Sequence, residues 1–288
     1  MWKLTKQTLY KWLGSNVFEH SAALAYGTLF SMAPTLILAI SLSGIIFGQE
    51  AAEGKIFQQI QGLIGVESAL LIQGIIRKAS LDGNDLLATF MGIVIFLIGA
   101  SAVFAQLKSS LNDMWGVKPD PRLNDIIHFL KNRLLSIAMV AAFCFVLLAS
   151  LLLSAFLAAF GDWISSYLPF TNKVLILFNF LLSTGIIAIV FSLIFKVLPD
   201  ADLKWRDVLM GGSLTAALFA TGKYLIALYI QQSNLSSLYG AAASLVIIML
   251  WVYYSSLILF LGAAFTHTLY RKNLEKEQIA ALDNSGSA

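Results

Sequence analysis

The sequence predicts an all-α, polytopic membrane protein with six transmembrane helices. The first observation is composition: of 288 residues, 58% are hydrophobic and 12% charged. Soluble domains are nearer to about half apolar and about a quarter charged. The mean hydropathy is correspondingly high, at +0.80. A bilayer favours apolar surface on the outside of a protein as well as in its core, so lipid is the predicted solvent.

The second observation is that the apolar residues form long runs separated by short charged segments. A helix that crosses the hydrocarbon core needs about 20 predominantly apolar residues. Six runs meet this requirement, and none alternates with the period of two typical of a barrel strand. The predicted spans are residues 21–47, 86–107, 134–160, 174–195, 208–230 and 241–265. They define a transmembrane domain over residues 21–270.

The third observation is the distribution of positive charge. Of the 19 Lys and Arg residues, 14 lie in the N-terminal segment, the second and fourth connections and the C-terminal segment. Four lie in the other connections, and Lys223 is the one inside a span. Cytoplasmic loops carry the excess of Lys and Arg, so both termini are predicted to be cytoplasmic. An even number of spans places both termini on one side, and the distribution of Lys and Arg predicts which side it is.

Three segments flank the spans. Residues 1–20 are predicted to form an amphipathic cytoplasmic helix whose interfacial side chains are Trp2, Leu9, Trp12 and Leu13. The first external loop, 48–85, is long, and "KIFQQIQGLIG" and "ESALLIQGIIRKA" have apolar residues at helical spacing. We expect two short amphipathic helices over the external mouth, with capping of the bundle as the simpler interpretation. Residues 271–288 are predicted to be a polar cytoplasmic tail, frayed from residue 276.

Small residues indicate close helix packing. Gly212, Ala216 and Ala220 recur four apart in the fifth span, and Gly240 and Gly262 lie near the ends of the sixth. Such residues let helix backbones approach, which serves either packing within one chain or a homo-oligomer. In the first span, Pro34 removes a backbone hydrogen bond and predicts a helix kink.

The sequence contains no motif that is typical of an enzyme active site or of a metal centre. Cys144 is the single cysteine, and the histidines form no metal or catalytic motif: His20, His128 and His267. No glycine-rich nucleotide loop is present, and "PDAD" (199–202) is a weak Mg²⁺ pattern, better interpreted as a solvated turn. We therefore predict no enzyme activity, no cofactor, no metal and no nucleic-acid partner.

Lys223 is the unusual residue, because it interrupts the apolar stretch "GGSLTAALFATGKYLIALYI" (211–230). At 1.5 Å per residue it lies roughly 22 Å along the helix from residue 208, in the outer half of the bilayer. Placing a lysine there costs at least ~2.5–3.5 kcal/mol. Its side chain either extends outward to the headgroups or faces the bundle and binds an anion. The residues that would accompany it in a binding site are Tyr224, Tyr239, Tyr26, Thr28 and Ser31.

Four blocks of the sequence resemble the YihY/BrkB family of bacterial inner-membrane proteins. The blocks are "SAALAYGTLFSMAPTLILAISL", "SSLNDMWGV", "WRDVLMGGSLTAALFATGKYLIALYI" and "LYGAAASLVIIMLWVYYSSLILFLGAAF". The resemblance extends over essentially residues 10–270 and implies six spans with cytoplasmic termini. The signature blocks contain Tyr26, Pro34, Trp115, Gly212, Lys223, Tyr239, Gly240, Trp251 and Gly262.

The resemblance also bears on function. Members of this family were once labelled ribonuclease BN, a label that the sequence pattern does not support here. Some members are linked to serum resistance and others to export of lipid-type envelope precursors. The expectation is a transporter or flippase of an anionic lipid or envelope precursor, with membrane lipids as partners. The alternative is a non-transporting scaffold or regulator of envelope biogenesis that acts through the basic segment 108–133 and an exposed Trp115.

Overall fold

The computed structural model describes residues 2–47, 49–80, 102–117, 172–232 and 242–285. Within these ranges the chain is helical, and they contain no strand. The helices are α1 (Trp2–Leu13), α2 (Val17–Phe47), α3 (Gln49–Ile64), α4 (Val66–Ser80), α5 (102–115), α6 (Asn172–Val197), α7 (Trp205–Gln232) and α8 (Ala243–Ser285). The all-α prediction is therefore confirmed for the described residues.

Helix α8 is the element around which the others pack. It contacts α2 and α7 along its length, α1 near its C-terminal half, and α4 near its start. In the part of the chain that the structure describes, one helix, Ala243–Ile279, is by itself long and apolar enough to cross a membrane. Span 134–160 and most of span 86–107 lie outside the described residues, so the number of six spans stays a prediction.

Glycines allow the backbone of α7 to pack closely against α6 and α8. A methyl group at Gly212 would lie 2.6 Å from the carbonyl oxygen of Ala188 on α6. Gly211 and Gly262 form a reciprocal pair of contacts between α7 and α8, since Gly211 meets the side chain of Thr266 and Gly262 that of Thr215. These helices therefore pack in the manner that small residues permit in membranes.

Both threonines at this interface satisfy their hydroxyl groups within their own helices. Thr215 Oγ1 donates to the carbonyl of Gly211 at 2.7 Å, and Thr266 Oγ1 donates to that of Gly262 at 2.8 Å. The polar atoms are therefore paired without a partner on the other helix, as an apolar environment requires. Ala216 is fully buried, Ala220 is half-buried, and Gly240 lies outside the described residues.

Apolar side chains fill the predicted cytoplasmic end of the bundle. Cluster one contains Val17, Leu24, Leu107, Leu111, Met114, Trp115, Phe195, Leu198, Leu203, Val208, Phe260, Ala263 and Ala264. These residues come from the start of α2 and of α7, from α5, from the end of α6 and the connection that follows it, and from the middle of α8. Because lipid tails are as apolar as these side chains, close packing rather than removal from water stabilises the contacts that lie at membrane depth.

Helices α3 and α4 pack against the opposite end of α8. Ile56 of α3 and Ile72 of α4 contact Ile247 and Ile248, and these four residues form cluster two. Gly65 joins the two helices with a left-handed backbone conformation (φ 86°), which glycine adopts without steric cost. The structure thus has two helices in the loop 48–85, as the sequence predicts, and they cap the start of α8.

The ends of α1 and α8 differ from the sequence prediction, whereas the end of α5 agrees with it. The predicted helix 1–20 ends at Leu13, where Asn16 adopts a left-handed conformation (φ 49°) before α2 begins at Val17. Trp12 Nε1 donates to the carbonyl of Leu257 at 3.2 Å and holds α1 on α8. The helix α5 ends where Gly116 becomes left-handed (φ 68°), in agreement with the predicted break.

The prediction of a frayed tail from residue 276 is wrong for residues 276–285, because α8 continues to Ser285. The segment "NLEKEQIAAL" is rich in strong helix formers, and its polar side chains contact α7 as described below. Helix α2 continues through position 34 without interruption, so the kink assigned to Pro34 stays a prediction.

We expect Gly262→Ala to destabilise the protein by about 1–3 kcal/mol, because the added methyl group collides with Thr215. The matched control is Gly185→Ala on α6, where nothing lies within 4 Å of the added atom. There the gain of up to about 1 kcal/mol in helix propensity should leave stability unchanged or raised. Thermal unfolding in detergent measures both variants, and equal shifts for the two would contradict the close contact.

Candidate functional site

Lys223 lies on an exposed face of α7, in the half of the helix away from cluster one. Its ammonium lies 5.4 Å from the centre of the Tyr224 ring, within cation–π range. Tyr224 is 59% exposed, and Leu225, Leu228 and Tyr229 on the same stretch are exposed as well. The described carboxylates make no ion pair with Lys223. The ammonium therefore faces the surroundings of the described helices rather than a packed interior.

The other residues of the predicted site lie on α2. Tyr26 is 61% exposed and packs on Phe30, with ring centres 5.0 Å apart. Ser31 is buried, and its hydroxyl donates to the carbonyl of Thr28 at 3.3 Å on the same helix. Helix α8 packs against both α2 and α7 and so connects the two groups.

The described contacts consequently join Lys223 to Tyr224 but not to Tyr26, Thr28 or Ser31. Tyr239 lies outside the described residues. The exposed position of Lys223 allows its side chain to extend to the headgroups. It equally allows the ammonium to bind the anionic group of a lipid. The binding role of these residues stays a prediction.

A polar network that the sequence did not predict joins α5 to the connection between α6 and α7. Lys108 is only 5% exposed, and its Nζ lies 2.9 Å from both carboxylate oxygens of Asp200. Asn112 completes the network in two directions. Its Nδ2 donates to Asp200 Oδ2 at 3.0 Å, and its Oδ1 accepts from the Asp200 backbone N–H at 2.9 Å.

This network explains the "PDAD" turn without a metal ion. Asp200 receives Lys108 and Asn112, and Asp202 lies 3.5 Å from Lys196 Nζ. In the ranges that the structure describes, no three His, Cys, Asp or Glu residues lie together as metal ligands would. The sequence analysis treated Lys108 as a cation of a cytoplasmic loop and did not predict its burial. The apolar neighbours Leu107 and Leu111 on α5 are the sequence feature that could have indicated it.

A second set of polar contacts holds the C-terminal part of α8 against the start of α7. Asp207 is buried, and its Oδ1 accepts from Asn273 Nδ2 at 2.6 Å. Lys204 Nζ donates to Glu277 Oε2 at 2.6 Å, and this hydrogen bond raises the pKa of the Lys204 ammonium. Asp207 also lies in the first turn of α7, where negative charge suits the helix dipole. The last turns of α8 are therefore tied to α7.

Trp115 contradicts one sequence expectation, because it is 8% exposed rather than on the surface. Its ring meets His267 of α8 edge-on at 5.1 Å between centres, and Tyr270 at 6.3 Å. The cause is that α5 carries Trp115 against α8, where the rings of His267 and Tyr270 cover it. The Trp115 side chain thus belongs to the packed core of this end.

One described helix that is long and apolar enough to span a membrane, close helix contacts through glycine and a composition suited to lipid all fit an α-helical membrane protein. The particular family follows from comparison with known sequences. The family model described as "Virulence factor BrkB" matches residues 8–286. The chain therefore belongs to the BrkB family, which confirms the resemblance noted in its sequence.

Several curated relatives are similar over most of the chain. A UPF0761 membrane protein of Kangiella koreensis is 25% identical over 90% of this chain and 61% of its own length. One from Verminephrobacter eiseniae is 26% identical over 92% of this chain and 62% of its own length. The chain thus spans about three-fifths of the length of these relatives.

A shorter relative matches over almost its whole length. The ribonuclease-like protein YfkH of Bacillus subtilis is 26% identical over 89% of this chain and 92% of its own length. The relatives carry the names of membrane proteins or, in this case, a name that refers to a ribonuclease. No solved structure matches the chain.

The Lys108–Asp200 pair generates an asymmetric prediction. We expect Asp200→Ala to be the more destabilising change, by about 3 kcal/mol, because the buried ammonium loses the carboxylate beside it. Lys108→Met should cost less, since methionine fills a similar volume and the Asp200 side chain, 41% exposed, is reached by water. Chemical or thermal unfolding of the full chain measures the difference. A larger loss for Lys108→Met than for Asp200→Ala would show that burial of Lys108 is wrongly assigned.

Proposed function

We propose that this protein is a transporter or flippase of an anionic lipid or lipid-linked envelope precursor in the bacterial inner membrane. The proposal includes six spans, a multi-pass arrangement and both termini in the cytoplasm. Membership of a family of membrane proteins and the positive-inside distribution of Lys and Arg support this placement.

One observation carries the proposal: the exposed Lys223–Tyr224 pair in the outer half of α7. A positive charge at membrane depth needs a counter-charge, and the predicted spans contain no Asp or Glu. Because the ammonium faces away from the packed helices, the anion within its reach is the headgroup of a lipid in the surrounding bilayer. This geometry favours a lipid over a small solute carried through a central cavity.

The packing of the two ends agrees with a transport role. Cluster one and the Lys108–Asp200 network pack the described helices together at the predicted cytoplasmic end, while the exposed polar and aromatic face of α7 lies toward the other end. A carrier must keep one end closed while its binding group is accessible from the other side. The proposal is that a headgroup reaches Lys223 from the external leaflet while the cytoplasmic end stays packed.

A scaffold or regulator is the alternative, and a different surface favours it. Trp115 and Lys108 are buried, so they are not the exposed surface on which this hypothesis first rested. Helix α1 instead presents Trp2 and Tyr10 outward, at 84% and 68% exposure. These side chains suit either the lipid interface or a partner protein. Loss of a partner from α1 variants without any change in lipid transport would favour the scaffold.

Among the described residues, Ser110, His20 and Asp113 have the residue types of a hydrolase but not its full geometry, because His20 Nε2 lies 4.0 Å from Asp113 Oδ2, beyond hydrogen-bond distance. His20 lies near Ser110, with Nδ1 and Oγ 3.1 Å apart, whereas His267 packs on Trp115. The two histidines therefore do not share a site, and His128 lies outside the described residues. The name of YfkH belongs to that relative, and we do not extend a ribonuclease activity to this chain.

The test is Lys223→Met in the full-length protein, purified in detergent and reconstituted in vesicles that contain an anionic phospholipid. We expect native mass spectrometry to show about tenfold less retained anionic lipid, the effect of losing roughly 1.4 kcal/mol of binding. Translocation of a labelled anionic lipid should fall in parallel. Lys223→Arg should keep both properties, because it preserves the charge.

Lys272→Met is the matched control, since it removes one exposed lysine from α8 outside the predicted spans. It should retain lipid and translocate at the wild-type rate. If Lys223→Met instead kept the wild-type lipid profile and rate, Lys223 would have no role in binding and would simply extend its ammonium to the headgroups. The transport hypothesis would then lose its main support.

A further inference from the structure

A cavity opens at the predicted cytoplasmic end, beside the part of α8 that follows its most apolar stretch. Its volume is about 480 Å³, and its walls come from the end of α5, the α6–α7 connection and α8. The residues on which the inference depends are Trp115, His267, Tyr270, Arg271 and Glu275. At 1.5 Å per residue, Arg271 lies roughly 9 Å beyond residue 265, the predicted end of the sixth span. That depth corresponds to the headgroup region or its cytoplasmic border.

The cavity wall contains a hydrogen-bond donor without a partner. Trp115 is more than nine-tenths buried, and its Nε1–H makes no hydrogen bond in the described part of the chain. A buried donor without a partner is unfavourable, because it has lost its hydrogen bond to water and gained none in return. The same wall presents the guanidinium of Arg271, which carries several further donors. An acceptor that enters the cavity and reaches the buried edge of the indole would satisfy this N–H, and Arg271 would supply the opposite charge.

Positive charge is concentrated at this position. Lys11 of α1 lies near Arg271: burial, and then the charge of Arg271, lower the pKa of the Lys11 ammonium. Glu275 also lines the cavity, one turn beyond Arg271 on the same helix, and the described contacts include no ion pair between the two. Two cations that repel each other and one carboxylate leave an excess of positive charge. An anion is the ligand that removes this repulsion.

We propose that this cavity binds a phosphate group, held by Arg271 and the Trp115 indole N–H with Lys11 as a nearby counter-charge. A phosphate offers several acceptor oxygens, and arginine binds it in a two-point geometry. The phosphate belongs either to a lipid headgroup of the cytoplasmic leaflet or to a soluble phosphate ester. The proposal goes beyond the assigned role of Lys223, because it concerns different residues at the opposite end of the bundle.

The test uses the full-length protein and two probes. Glycerol 3-phosphate is titrated against detergent-purified protein by calorimetry, and phosphatidylglycerol retention from nanodiscs is measured by native mass spectrometry. We expect Arg271→Gln and Trp115→Phe each to weaken binding on the order of tenfold, since each removes a hydrogen bond to a charged group. Trp115→Phe keeps an aromatic ring against His267 and removes the N–H donor. Unfolding temperatures show whether each variant retains its fold.

Lys272→Gln is the control, because this neighbour of Arg271 is exposed and does not line the cavity. Binding of both probes with loss in the two cavity variants supports a general phosphate site. Binding of the lipid alone, with the same losses, supports a headgroup site. Absence of binding for both probes, or equal weakening by Lys272→Gln and Arg271→Gln, would overturn the proposal. Lys223→Met should leave glycerol 3-phosphate binding unchanged, so failure of this site is distinguishable from failure of the transport function.

Discussion

The close approach of α6, α7 and α8 is the constraint on which the rest of the described structure depends. Gly212 admits the backbone of α6, and the reciprocal contacts of Gly211 and Gly262 bring α7 onto α8. In lipid, the association of helices gains little from apolar burial. The van der Waals contacts between closely packed backbones therefore supply much of the packing energy. The contacts fix the rotation of α7 about its own axis. That rotation leaves Lys223 and Tyr224 exposed on the described helices.

Polar contacts then fasten the same end of the bundle. Lys108 with Asp200 ties α5 to the turn before α7, and Asn273 with Asp207 ties the last part of α8 to the start of α7. Each of these pairs is at least partly buried, where an uncompensated charge or amide would be costly. Together with cluster one they hold the described helices together at this end, and the proposed phosphate cavity lies beside them. The opposite end is held differently, by apolar contacts of α3 and α4 with α8.

The sequence was most informative where a local pattern decides the structure. Apolar periodicity predicted α3 and α4, and glycine predicted the end of α5. Hydropathy predicted 174–195 and 208–230, and the observed helices Asn172–Val197 and Trp205–Gln232 extend beyond these runs by a few polar residues. The extension of α8 to Ser285 was missed because its partners, Lys204 and Asp207, lie far away in the chain. Burial of Trp115 and Lys108 was missed for the same reason, since it depends on tertiary neighbours. The side of α7 on which Lys223 lies could not be predicted either. Hydropathy predicts the depth of a residue in the membrane but not its direction around the helix axis.

The central claim is that Lys223 faces a lipid anion, and a cryo-EM structure of the full chain in nanodiscs containing phosphatidylglycerol tests it most directly. We expect phosphate density about 2.7–2.9 Å from Lys223 Nζ, the distance of a charge-assisted hydrogen bond. We also expect the Lys108–Asp200 contact to be closed in the same structure. A Lys223 side chain enclosed by other helices of the chain, or extended to the headgroup border without bound phosphate, would contradict the claim.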